Sequence, residues 1–252
     1  MHRGWVATAC LCLALGGSSP LLAAQSAPMI LALGNTAFLN PAAIQASTGA
    51  EVKTDLDGSV LKDFTVIVLA NVAFASLPDL VQQGLVEYIT GGGTLLLTGG
   101  PQAFGSGGYQ AIAPIVPFEM RSTSDWRAIP FRTPVALQPG HPILAGVAFI
   151  TVGNVNDMNP RPDATEIMQS AGGGSAAGRV TGGTGPGGVP GTGGIGGGSY
   201  LYPLIAEIGV GAGRVLGIAF DLNEFSGMRD LGQFVQNTMT YLHGVSRLGR
   251  GR

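Results

Sequence analysis

The sequence predicts a doubly wound α/β domain, a mostly parallel sheet with helices on both faces, followed by a C-terminal hairpin and helix. Three observations carry this. Short apolar runs alternate with helical patterns as β-α-β-α-β between Pro28 and Thr98, which favours a parallel sheet with right-handed crossovers. The central run, Phe64 to Ala70 (FTVIVLA), is continuously apolar and β-branched, as expected of a strand covered on both faces. The runs also stop at Asn or Gly, namely Asn35, Asn71 and Gly99, so their carboxyl ends meet at one polar edge.

Pro28 to Leu33 is the opening strand, ending at Gly34-Asn35. Asn40 caps a helix, Pro41 takes its first turn and Gly49 closes it, the usual placement of proline early and glycine late. Glu51 to Leu56 is a short, more polar strand suited to the sheet edge. Ser76-Leu77-Pro78-Asp79 reads as a capping box. The helix after it places Leu80, Val81, Leu85, Val86 and Ile89 on one face and stops at Gly91.

Gly91 to Tyr109, GGGTLLLTGGPQAFGSGGY, is the organising stretch, a five-residue strand (Thr94 to Thr98) between glycine clusters. Pro114 to Met120 and Phe131 to Leu137 are punctuated by proline and read as edge strands and loops. His141-Pro142-Ile143 begins a turn or short helix, and Phe149 to Val152 and Ala164 to Gln169 read as strands. Gly172 to Gly198 is a glycine-rich, nearly uncharged insertion whose composition suits a flexible loop. Tyr200 to Ile208 and Arg214 to Phe220 form a hairpin around Gly209 to Gly213. The final helix presents Leu231, Phe234, Val235, Thr238 and Leu242, with Gly244 as its stop. The domain thus runs from 28 to 246, and 247–252 is a basic tail.

Charged residues make up 11% of the 252 and hydrophobic ones 45%, with a net charge of −2. Neither disorder nor nucleic-acid binding is expected of such a composition. Residues 1–24 have the three parts of a secretory signal: His2 and Arg3, the apolar Trp5 to Leu15, then small residues up to Ala24. Gly16, Gly17 and Pro20 leave too short an apolar run for a membrane-spanning helix, an uncleaved anchor being the alternative reading of the segment. No stable membrane span is expected after signal cleavage. The expected location is periplasmic or extracellular. Both cysteines, Cys10 and Cys12, fall inside that signal, so the mature chain would hold neither a disulfide nor a thiolate.

At the carboxyl edge, the candidate ligand-binding residues are Asn35, Asn71, Gly99, Gly100 and Asp221. Asp221 joins the others if its strand runs parallel to theirs. It either reads a polar ligand (with Glu224, a hard cation) or caps the turn that follows. Asn35, Asn71 and Asp157 carry the same choice between site and turn. The glycine block either cradles an anion with its N–H groups or serves close packing. No lysine follows it, so it is not a nucleotide P-loop. His141 is a general base or a turn cap, and His243 suits the last turn of a helix. No metal site, catalytic set or cofactor is assigned.

Four blocks carry a resemblance: GGGTLLLTGGPQAFGSGGY, PIVPFEM, HPILAGV and GVGAGRVLGIAFD. In that order they resemble the glutamine amidotransferase-like domains of bacterial envelope proteins, of the class I glutamine amidotransferase-like superfamily. The resemblance covers most of Pro28 to Gly244 and implies a flavodoxin-like fold. It also implies a cysteine nucleophile at a sharp strand-to-helix turn, with a histidine and a carboxylate relaying protons. Here the corresponding position is Gly99 or Gly100, and the nearby hydroxyls are Thr98 and Ser106, neither in a nucleophile elbow. The expectation is therefore an exported domain without amidotransferase chemistry, a non-catalytic module binding a small ligand or an envelope protein. The alternative is a hydrolase or transferase using Asp, His, Ser or a bound metal at the same edge.

Overall fold

A computed structural model describes residues 27–147, 152–170, 201–225 and 230–248. Twelve strands and three α-helices are formed: β1 (Met29–Gly34), α1 (Pro41–Thr48), β2 (Glu51–Lys53), β3 (Phe64–Ala70), α2 (Asp79–Thr90), β4 (Thr94–Thr98), β5 (Phe118–Met120), β6 (Trp126–Arg132), β7 (Pro134–Ala136), β8 (Val152–Asn156), β9 (Met158–Pro160), β10 (Thr165–Ser170), β11 (Pro203–Val210), β12 (Gly213–Ile218) and α3 (Leu231–Val245). Eight strands make one sheet in the order β2-β1-β3-β4-β12-β11-β10-β7, flanked by the two-stranded ribbons β5-β9 and β6-β8. From β2 to β12 all pairings are parallel, and from β12 to β7 all are antiparallel. The α/β class is as expected, with the hairpin β11–β12 in place.

Alternate residues of each buried strand feed two cores, as the two-residue strand period requires. Ile30, Val66, Val68, Leu96 and Ile218 pack beneath α1 and α3. Leu31, Ile67, Leu69, Leu95 and Leu97 pack beneath α2 and the 3-10 segment Tyr109–Ile115. Helices therefore cover both faces. The capping of α1 is as read: Asn40 Oδ1 accepts from Ala43 N at 3.2 Å, and Gly49 adopts φ 73° beyond the last turn.

Some local expectations are corrected. Ser76 does not cap α2; it ends a 3-10 turn (Phe74–Ser76), and Pro78 is the N-cap without a side-chain bond. Leu80 and Val86 face solvent at 42% and 39% exposure, and Tyr88 joins Val81, Leu85 and Ile89 in the buried face. The Tyr88 hydroxyl donates to Thr94 O at 3.2 Å, and its ring fills the space a side chain at Gly93 would need. Gly244 does not end α3, which runs on to Val245 with Ser246 as its C-cap. Ser246 is buried, so tertiary packing carries the helix past its glycine. β2 stops at Lys53 and does lie at the sheet edge. The signal 1–24, Phe149 to Thr151 and the insertion 172–198 lie outside the described residues.

Candidate functional site: the carboxyl edge of the sheet

Register brings the predicted residues together. Gly34 pairs with Ala70, and Ala70 and Ile218 both pair with Thr98. Asn35, Asn71 and Gly99 therefore leave the sheet at one level. Because β12 is parallel to β4, Asp221 emerges beside them, and Asn71 Nδ2 donates to Asp221 Oδ2 at 2.8 Å.

No side chain fits at the end of β4. A Cβ on Gly99 would lie 2.6 Å from the carbonyl carbon and oxygen of Ala219 and 2.7 Å from Asn156 Oδ1. Gly100 has φ 141°, and a Cβ there would overlap the Asn71 carboxamide. Such a backbone is essentially reserved for glycine. Two successive positions where the resemblance implies a nucleophile are thus closed to any other residue by packed backbone and by φ.

The glycine block then folds onto a carboxylate that the sequence did not single out. Asp125 is fully buried and accepts from Gly105 N (2.9 Å), Ser106 N (3.0 Å), Ser106 Oγ (2.7 Å) and Asn156 Nδ2 (3.0 Å). Asn156, also fully buried, accepts from Gly100 N at 2.9 Å and donates to Gly100 O at 3.2 Å. The neighbouring amides are engaged as well. Gly99, Ala103, Gly107, Gly108 and Tyr109 donate to backbone carbonyls, and Gln102 N to Asn71 Oδ1. An anion cradle needs these donors pointing outward; they point inward, so the glycines serve packing. Asn156 stands next to Asp157 in GNVNDMNP, which the sequence reading did mark. Asp125, in the unremarkable STSDWRA, carried no local signal.

Asp221 is the cap rather than an exposed charge. It is 3% exposed, and its Oδ1 accepts from Asn223 N (2.8 Å) and Asn223 Nδ2 (3.0 Å) at the start of the 3-10 turn Leu222–Phe225. Asn223 also donates to Asn35 O (2.7 Å) and accepts from Phe38 N (2.9 Å), tying the turn to the loop after β1. Of the two readings of Asp221, the turn cap is the one the structure shows, with burial and three donors engaging the carboxylate. The solvent-facing groups of the edge are Asn35, Gln102 and Glu224, the last accepting from Asn154 Nδ2 at 2.8 Å.

The alternative catalytic groups are dispersed. Thr98 is the last residue of β4, fully buried, and its Oγ1 has no hydrogen-bond partner among the described residues. Ser106 is bonded to Asp125, and no histidine among the described residues is bonded to the pair. His141 caps its own turn through Nδ1 and places Nε2 3.5 Å from Glu207 Oε1. Glu207 also accepts from Arg214 (3.0 Å) and Tyr241 (2.8 Å), and burial first, then Glu207, pushes the Tyr241 phenol up to about 12. Arg214 is the second residue of β12, so this group lies toward the strand end remote from Asp221. His243 Nδ1 is 3.0 Å from Thr65 Oγ1. Asp157 pairs with Arg121 (3.4 Å) and Arg127 (3.1 Å). Among the described residues no three His, Cys, Asp or Glu side chains gather as metal ligands, and no helix is long and apolar enough to cross a membrane.

The α/β fold is similar to that of several solved structures. A cytoplasmic protein from Salmonella typhimurium superposes with TM-score 0.59 at 14% identity, covering 87% of this chain and 99% of the other. A ThuA-like protein from Bacteroides uniformis gives TM-score 0.51 at 12% identity, with 88% and 94% covered. A β-galactosidase from Rahnella contains a similar unit within 32% of its length, at TM-score 0.52, 9% identity and 87% of this chain. No family model matches the sequence, and no curated protein matches it either.

Proposed function

We propose that the chain is an exported, non-catalytic binding module of the cell envelope, built on a glutamine amidotransferase-like fold. The observation that carries this reading is the end of β4, where Gly99 and Gly100 stand in place of a nucleophile and packed backbone and φ leave room for nothing else. The export part rests on residues 1–24, which read as a signal and hold both cysteines. Function follows the site rather than the fold, and this site offers hydrogen-bonding surface instead of reactive groups. Its contact residues are the solvent-facing Asn35, Gln102 and Glu224, with the half-buried Asn154 bonded to Glu224, held in place by Asn71, Asp221 and Asn223.

The test is fractionation followed by capture. The mature chain should begin near Gln25 and sediment or co-purify with envelope material. A photo-crosslinker at Asn35 or Asn154 should then trap the same partner, while one at Val86 on the exposed side of α2 should not. Intact Met1 on soluble cytoplasmic protein, or equal trapping from Val86, contradicts the reading.

A further inference from the structure

We propose that a second site, distinct from the sheet edge, binds an organic cation: an ammonium or guanidinium group on an apolar stem. It is a cavity of about 600 Å³ between the 3-10 segment Tyr109–Ile115, β5 and the turn Arg161 to Asp163. That volume falls within the range typical of small-ligand pockets. The PIVPFEM block supplies much of its wall, so a motif with no role at the sheet edge acquires one here.

The ligand class follows from counting donors and acceptors. Four of the five Arg161 N–H donors are engaged: Nε and Nη2 go to Asp163 at 2.9 and 2.7 Å, and Nη1 goes to Ala113 O and Pro114 O at 3.1 and 2.7 Å. Gln110 Nε2 is directed to Gly105 O at 3.4 Å. One N–H of Arg161 and one of Gln110 are left over, and the acceptor capacity exceeds them. Glu119 is exposed, and its side chain makes no hydrogen bond or ion pair among the described residues. Gln110 Oε1 is likewise open. Each Asp163 oxygen takes one Arg161 donor and keeps a lone pair. The lining holds two carboxylates against one guanidinium, a formal excess of one negative charge. Arg161 holds the Asp163 carboxyl below the usual range, so it stays ionised near neutrality.

Ala113 and Met120 supply apolar wall beside these acceptors. A ligand that must bring its own donors, carry positive charge and cover a methionine is an alkylammonium or alkylguanidinium. It comes either as a free amine or as a Lys or Arg side chain of a partner. Charge-assisted hydrogen bonds of this type are the strong ones, and the methionine adapts to stems of varied shape.

The experiment is an NMR titration of the purified protein with n-hexylammonium, n-hexanol and hexanoate at fixed ionic strength, read at the Met120 methyl and the Gln110 side-chain amide. Saturable shifts are expected for hexylammonium alone. Glu119→Gln, which removes a charge that holds no partner in the fold, should weaken binding at least about tenfold. Ala113→Phe should abolish it by filling the cavity, and Asn35→Ala should leave it unchanged, separating this site from the sheet edge. Tighter binding of N-acetyl-lysine amide than of hexylammonium would assign a protein side chain as the source; the reverse assigns a free amine. Equal shifts with hexanol or hexanoate, unchanged binding in Glu119→Gln, or no saturable shift by about 20 mM, well above a millimolar affinity, overturns the proposal.

Discussion

Replacing Asp125 with alanine should cost substantial stability, because the glycine block folds onto its carboxylate. The carboxylate is fully buried and holds four donors. On its removal Asn156 keeps Gly100 O and Ser106 Oγ keeps the backbone N–H of residue 125. The amides of Gly105 and Ser106 lose their acceptor outright. An unsatisfied buried donor costs about 1–3 kcal/mol, so two give roughly 4 kcal/mol. For a domain of this size that corresponds to a fall in Tm of about 8–16 °C. Asp125→Asn preserves shape and one acceptor oxygen but turns an NH2 toward one of the two amides, and should lose about half as much. Urea unfolding followed by far-UV circular dichroism measures both, with m unchanged if only the native state is affected. An Asp125→Ala loss below about 1 kcal/mol, under the cost of one orphaned donor, would refute the claim that this carboxylate organises the loop.

Three further outcomes follow from the same geometry. Gly100→Ala should destabilise by at least about 2 kcal/mol in the same assay, since it combines a glycine-only backbone with overlap on Asn71; a neutral result would mean that the strand end is not closed. Replacing 172–198 by a two-residue turn should barely move Tm, because Ser170 and Tyr202 already bond to each other at the hairpin mouth (2.8 and 2.9 Å) and loop closure depends weakly on length; loss of cooperativity would show that the segment belongs to the core. The phenols give a pH dependence. Burial raises Tyr88 and Tyr109 above the ordinary range and Tyr241 to about 12, so the folded state holds protons that the unfolded chain releases near 10. Stability should be intact below pH 10 and fall as pH rises toward 12. Absorbance at 295 nm should show phenolate appearing together with unfolding; full ionisation of all three in a folded protein would contradict the burial.

Much of the fold was legible because its signals are local and repeated. FTVIVLA and TLLLT specify covered strands by composition alone, and both were observed at the expected residues. Asn40-Pro41 and Gly49 specify α1 through backbone chemistry. The edge residues were legible because strand ends in a parallel sheet fall at one level. Their chemical state was not. Whether Asp221 faces water or a cap depends on Asn71, 150 positions away, and on Asn223. Asp125 reaches the glycine block from 19–20 residues downstream, and Asn156 from 56. Such bonds are decided by tertiary placement, which no window of sequence contains. The α2 face was misassigned for a related reason, since Tyr88 is drawn inward by the space that Gly93 leaves.

The proposed non-catalytic role rests on a strand end that presents only packed glycine where the resemblance implies a nucleophile. Ammonia release from glutamine by the purified mature chain measures this most directly. The rate should equal that of a heat-denatured control, and it should remain there after Ser106→Ala and after thiol blocking. Turnover above the control that survives thiol blocking and disappears in Ser106→Ala would contradict the claim, and would make the Ser106–Asp125 pair the centre of an enzyme.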